Sequence, residues 1–223
     1  MAYEFPAFLD EIEARTRITD ALHRYNRGID RGNHAYCRQV AYHDGATDDH
    51  GNGPEPVDQF LATSSKRHAS LRHNQHTLAN VIIDFFSADV AFVESYLIAV
   101  EWYDETYDFS LRDIPDPGPA GARITSYCRY ADIFERRNGR WGIIERVTIF
   151  GDMAYQPLEQ PPVIPSTFTR QKHGPDDPVF DVMRRAEQHA RQRSGQRLRV
   201  TDLSSTYSLR PTRPYSRPVP LAL

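Results

Sequence analysis

From residue 76 to residue 150 the chain is a succession of long strand-like runs joined by turns. That constrains its fold more than any other feature. Val81, Ile82, Ile83, Phe85 and Phe86 lead into the turn Ser87-Ala88-Asp89. Residues 90–102 return as a second run carrying Phe92, Val93, Tyr96, Leu97, Ile98 and Val100. A third run covers residues 123–134, and Arg137-Asn138-Gly139-Arg140 is a hairpin turn with Asn-Gly at its centre. The last run covers residues 141–150. Runs joined in this way pair antiparallel with their sequence neighbours. Residues 103–122, with three Pro, two Gly and five acidic residues, make a long connection between the second and third runs. Connections of that length are often lids or oligomer contacts.

The first part of the chain has a different period. Ile18, Leu22, Tyr25 and Ile29 recur at helical spacing within a helix over residues 8–31, which Gly32 ends. Asp30 stands near that end, beside the apolar stripe. A carboxylate there needs a partner. Residues 33–42 form a second, short helix. Residues 42–51 read as a loop running into a short strand, and a helix over residues 56–71 carries Val57, Phe60 and Leu61 on its apolar side. His43, Asp44, Asp48, Asp49 and His50 crowd into the loop, but their spacing fits no zinc or calcium template, so no metal is expected. Asp49 and His50 are instead candidates for a polar pocket mouth.

After residue 156 the character changes again. Pro157, Pro161, Pro162 and Pro165 make an extended connector. Asp177-Pro178 starts a helix to about residue 194, and Pro211, Pro214, Pro218 and Pro220 break up the rest. The expected organisation is a domain over residues 1–155 and an extension over 156–223 that packs on a neighbouring subunit or on its own body. Residues 170–223 hold 11 Lys/Arg against 5 Asp/Glu, a net of +6, which leaves −9 for the rest of a chain totalling −3. Such a tail suits docking on an acidic body, and no nucleic-acid motif accompanies it. No apolar run reaches the roughly 18–20 residues of a membrane helix, and the acidic start MAYEFPAFLDEIEA is unlike a signal peptide. A cytoplasmic protein is expected, with Cys37 and Cys128 as unpaired, half-buried side chains.

Helix, helix, short strand, helix and four long strands is an order the chain shares with the nuclear-transport-factor-2-like cone fold. The matching local pieces are Tyr25 with Gly28-Ile29-Asp30-Arg31-Gly32, then Tyr42-His43-Asp44 with Asp48-Asp49-His50-Gly51, and then the His76-Thr77-Leu78-Ala79-Asn80 spacing. Arg129-Tyr130-Ala131-Asp132 follows, and last Glu135 to Trp141, leading to Arg146 and Asp152. On these pieces, covering about residues 10–155, the chain resembles the SnoaL-like branch of that superfamily. The resemblance implies an α+β fold: a cone-shaped, curved antiparallel sheet with N-terminal helices packed on it, here followed by a C-terminal extension. It also implies a dimer or trimer.

Dehydratases and dehydrochlorinases of this branch remove a proton with a His–Asp pair inside the cone. The resemblance puts His76 in the base position, Asp30 in the position of its carboxylate, and Tyr25, five residues before Asp30, beside the leaving group. Arg146 and, on the preceding strand, Arg129 are both candidates for a site arginine. Imidazole suits the task, because its unperturbed pKa is about 6.5 and a carboxylate on one nitrogen leaves the other free to accept a proton. His73 lies three residues before His76, but only His76 has the Asn80 spacing. Phe60, Phe85, Tyr96, Trp102 and Phe150 suggest a largely apolar pocket for a hydrophobic small molecule, steroid-like or aromatic and polycyclic. No phosphate loop or dinucleotide fingerprint is present, so chemistry without a cofactor is expected. The reading is a dehydratase-type lyase. An isomerase or polyketide cyclase with the same pair, and a non-catalytic binder or partner subunit, remain alternatives.

Overall fold

The computed structural model describes residues 5–69, 71–107 and 117–194. Its elements run α1 (Phe8–Asp30), α2 (His34–Ala41), β1 (Tyr42–Asp49), β2 (Glu55–Pro56), α3 (Val57–His68), β3 (Leu71–Ser87), β4 (Val90–Tyr103), β5 (Ala122–Arg137), β6 (Arg140–Pro157) and α4 (Val179–Ser194). The strands form one open sheet in the order β2-β1-β6-β5-β4-β3. The four long strands pair antiparallel as neighbours, and β1 adds to β6 in parallel. The sheet is therefore mixed, because β1 reaches it from a helix rather than through a hairpin. No helix among the described residues is long and apolar enough to cross a membrane.

The helical stripe of α1 explains the core. Ile18, Leu22, Tyr25 and Ile29 are buried against sheet residues that include Val93, Tyr130, Phe134 and Ile143. On β4 the inward residues are odd-numbered: Val93, Leu97, Ala99 and Glu101 are buried, while Tyr96 and Ile98 are exposed. That alternation is the two-residue period of a strand covered on one face.

β3 carries an irregularity that matters for function. Leu78 pairs with Leu97 but Val81 pairs with Ser95, so Ala79-Asn80 contain one extra residue, a β-bulge. Beyond it Ile83 and Phe85 point inward. Between it and a second irregularity at Leu71/His73 the inward residues are even-numbered, which turns His76 into the fold instead of out of it. The spacing from His76 to Asn80 is thus the length from the site to the bulge. β3 begins at Leu71, earlier than its apolar run suggests, because Arg72 to Gln75 are polar and hide the alternation.

The end of α1 is equally well defined. Gly32 adopts φ +65°, and the amides of Gly32 and Asn33 donate back to Ile29 and Gly28 at 3.0 and 2.8 Å. This is a Schellman stop, and it makes Asp30 the last helical residue. Asn33 then caps α2, its side chain accepting from the Tyr36 amide at 3.0 Å. The extension packs on the chain's own body at this corner. His173 Nδ1 lies 3.2 Å from the Asp30 carbonyl, Gln171 donates to the Asn74 carbonyl at 3.1 Å, and Asp177 holds the start of α4 through the Val179 amide at 3.0 Å. Residues 108–116 of the long connection and the last prolines of the tail lie outside the described residues.

A Cβ at position 32 would sit 2.5 Å from His173 Nε2, at a backbone angle that L residues rarely adopt. Gly32→Ala is expected to lower unfolding free energy by about 1–3 kcal/mol. Urea unfolding checks this, and an unchanged midpoint would contradict the fit described at this corner.

Candidate active site

The curved sheet and the helices enclose a cavity of about 360 Å³. Ile29, Phe60, Leu97, Phe150 and Met153 supply its apolar wall. His50, His68, His76, Glu101, Ser126 and Thr148 supply a polar one. The interior is therefore more polar than the aromatic content of the sequence suggests.

Asp30 and His76 meet, although 46 residues separate them. His76 Nδ1 is 2.8 Å from Asp30 Oδ1, and the His76 backbone amide donates to the same oxygen at 2.9 Å. The carboxylate thus holds both the ring and the strand that carries it. Asp30 is only 8% exposed. On its outer side it borders a smaller cleft together with Arg27 and Arg31. With Nδ1 committed to Asp30, His76 presents Nε2 as its free nitrogen, and the ring lines the cavity.

Tyr25 lines the same cavity from α1. Its ring packs edge-on to Tyr42 and Tyr130, at centroid distances of 5.8 and 6.1 Å. Burial raises its hydroxyl pKa, so it stays protonated and can donate. Arg146 lies behind this wall. It is fully buried and pairs with Asp132 through two contacts, Nε–Oδ1 at 2.7 Å and Nη2–Oδ2 at 2.8 Å, with its guanidinium 4.4 Å from the Tyr25 ring centroid and 3.9 Å from that of Tyr130. Burial works against its charge, but Asp132 together with the Tyr42 and Tyr25 hydroxyls outweighs it, and its pKa is raised. Arg146 does not border the cavity, so the structure gives it a supporting place beneath Tyr25 and Tyr130.

His50 and Phe60 also line the cavity, stacked on each other at 4.2 Å. The other expected pocket residues lie elsewhere. Asp49 builds the turn after β1, its Oδ1 accepting from the Gly51 and Gly53 amides. Tyr96, Trp102 and Arg129 have the outward parity of their strands. Tyr96 is 43% exposed, Arg129 pairs with Glu94 at 2.6 Å, and Trp102 Nε1 is 3.5 Å from the Ala120 carbonyl. The crowd in the β1 segment disperses too. His43 contacts the Glu135 carbonyl at 2.9 Å, Asp44 pairs with Arg38, and Asp48 turns inward to His50.

Three cavity residues escape a reading by motif. Glu101 has the inward parity of Leu97 and Ala99, which is the signal that could have found it. Its carboxylate accepts from the Tyr103 hydroxyl at 2.9 Å and lies 3.4 Å from His68 Nε2. His68 follows Val57, Phe60, Leu61 and Ser64 on the buried side of α3. Cys128 is free, and burial pushes its thiol up to about 11, which disfavours a thiolate nucleophile.

The family model for the SnoaL-like domain matches residues 10–147. The chain belongs to the SnoaL-like family. Its fold is the cone fold of solved SnoaL-like neighbours. A hexachlorocyclohexane dehydrochlorinase, LinA type 2, superposes with a TM-score of 0.57 at 18% identity, over 73% of this chain and 100% of that one. A proposed scytalone dehydratase from Novosphingobium aromaticivorans gives 0.55 at 17%, over 70% and 100%. LinA type 3 from Novosphingobium barchaimii gives 0.56 at 17%, over 71% and 99%. At these identities the likeness is one of fold. No curated protein matches the sequence.

His68 gives this SnoaL-like protein a pH dependence of stability. Burial, against the pull of Glu101, pushes its pKa from the usual 6.5 down to about 4. Between those values the unfolded chain binds a proton that the folded one does not. Stability is therefore full above about pH 6.5 and is lost as pH falls toward 4. Replacing His68 by Gln is expected to remove a component of that loss on the order of 2–3 kcal/mol. Urea unfolding of both proteins at several pH values between 4 and 7 checks it, and parallel curves would contradict the assignment.

Proposed function

We propose that this protein is a cofactor-independent lyase of the dehydratase type, with His76 as the base. The observation that carries the reading is the Asp30–His76 contact at 2.8 Å inside the cavity. Asp30 accepts Nδ1–H and so fixes the tautomer that leaves a lone pair on Nε2. A substrate C–H placed against Nε2 loses its proton there. The bonding electrons form a double bond as the leaving group departs from the next carbon. Asp30 stabilises the imidazolium that results. The Tyr25 hydroxyl, kept protonated by burial, donates to a developing oxyanion.

The same lining narrows the substrate class. A cavity of 360 Å³ lies toward the small end of ligand pockets, which run about 300–1,000 Å³. Its apolar wall suits a ring. Its His, Ser, Thr and Glu side chains suit hydroxyl or keto groups on that ring. An oxygenated aromatic or alicyclic compound fits these features better than a bare hydrocarbon skeleton. A binding module or partner subunit has no need of a buried His–carboxylate contact, and the activities for which the LinA dehydrochlorinase and the proposed scytalone dehydratase are named are eliminations of this kind. The SnoaL-like fold and the self-packing extension are compatible with assembly as a dimer or trimer, which we include in the proposal.

The para-nitrophenyl ether of β-hydroxyethyl methyl ketone is a suitable probe, because loss of its acidic α-proton expels a coloured phenolate. The protein is expected to accelerate this elimination, and His76→Ala to lower kcat/KM by about 100-fold or more. Retention of the wild-type rate by that variant would show that His76 is not the base.

A further inference from the structure

We propose that His50, oriented by Asp48, is a second catalytic group of the cavity: the acid that protonates the leaving group while His76 takes the proton from carbon. The proposal rests on the elimination reading of His76. Its basis is that the cavity holds the same arrangement twice. His50 Nδ1 is 2.5 Å from Asp48 Oδ1, as His76 Nδ1 is 2.8 Å from Asp30 Oδ1. Asp48 is wholly buried, and its second oxygen accepts from the Tyr42 hydroxyl at 2.5 Å. Both carboxylate oxygens are thus engaged. The His50 ring is also held flat against Phe60, with an interplanar angle of 19°. Nε2 is left at the cavity wall, 3.2 Å from the Thr148 hydroxyl.

The two pairs come from opposite sides of the sheet. β1, which leads into His50, is separated from β3, which carries His76, by β6, β5 and β4. Curvature brings both into one cavity, so a ligand that fills it meets both rings from different walls. Their electrical surroundings differ as well. Asp48 belongs to a buried group with Asp132 and Arg146, two carboxylates against one guanidinium. Asp30 instead has Arg27 and Arg31 around its outer cleft. An acid and a base in one site need such unequal environments.

In the proposed step the α-C–H bond breaks and its proton goes to His76 Nε2. The electron pair forms the C=C bond as the β-C–O bond breaks. The departing oxygen takes the proton on His50 Nε2. His76 ends protonated and His50 neutral, and exchange with water restores both after product leaves.

An acid of this kind matters in proportion to the basicity of the leaving group. The test compares the para-nitrophenyl ether above with the phenyl ether of the same ketone, in the wild-type protein, His50→Gln and His76→Ala. His50→Gln is expected to lower kcat/KM for the phenyl ether by about 100-fold or more but for the nitrophenyl ether by less than about 5-fold. His76→Ala is expected to lose both. The surviving nitrophenyl rate of His50→Gln also reports that the variant is folded. Equal losses with the two ethers, or no loss with either, would overturn the acid role and leave the base reading standing. A wild-type protein inert toward both ethers would overturn the base reading and this proposal with it.

Discussion

One carboxylate oxygen joins the two halves of this fold at its site. Asp30 Oδ1 accepts from the backbone amide and from the ring of His76, so a helix end and an edge strand meet at a single atom. Each side has its own device for reaching that atom. The Schellman stop at Gly32 ends α1 on Asp30, and the bulge at Ala79-Asn80 reverses the parity of β3 so that His76 faces in. The connector adds a third support, with His173 against the Asp30 carbonyl and Gln171 against that of Asn74. The extension therefore buttresses the site corner.

The rest of the interior follows a common rule. Buried carboxylates are costly unless donors satisfy them. Asp48 has Tyr42 and His50, Glu101 has Tyr103 with His68 nearby, and Asp132 has the guanidinium of Arg146. Asp48 and Glu101, like Asp30, each meet a histidine that lines the cavity. The fourth pair, Asp132–Arg146, lies behind Tyr25 and Tyr130 and fixes the wall on which they stand.

The main chain path was legible in the sequence because its signals are periodic. The stripe of α1, the β4 alternation and the Asn-Gly turn each give an element, and their order gives the cone. His76 and Asp30 were legible through their places in that order. Where side chains lie away from their expected places, the causes are physical. Trp102, Tyr96 and Arg129 have aromatic or cationic side chains on strands that border the cavity, but strand parity sends them to the other face. Glu101, on the inward parity, was missed because it interrupts an apolar pattern instead of continuing it. Asp48, and not its neighbour Asp49, reaches His50, because one residue along a strand reverses the face. The polar start of β3 and the exposed end of β6 carry no apolar rhythm, so both strands run longer than their apolar residues suggest. The parallel pairing of β1 depends on a contact with a strand about 100 residues later, which no local signal reports.

The central claim is that Asp30 sets the tautomer of His76 and so frees Nε2 as the base. Nitrogen-15 NMR of the histidine rings in the intact protein tests it directly, at neutral pH and in the absence of ligand. The account predicts that His76 carries its proton on Nδ1, with Nε2 at the shift of an unprotonated ring nitrogen, and that Asp30→Ala abolishes this preference. A proton on Nε2 in the wild-type protein, or the same Nδ1–H tautomer after Asp30→Ala, would contradict it.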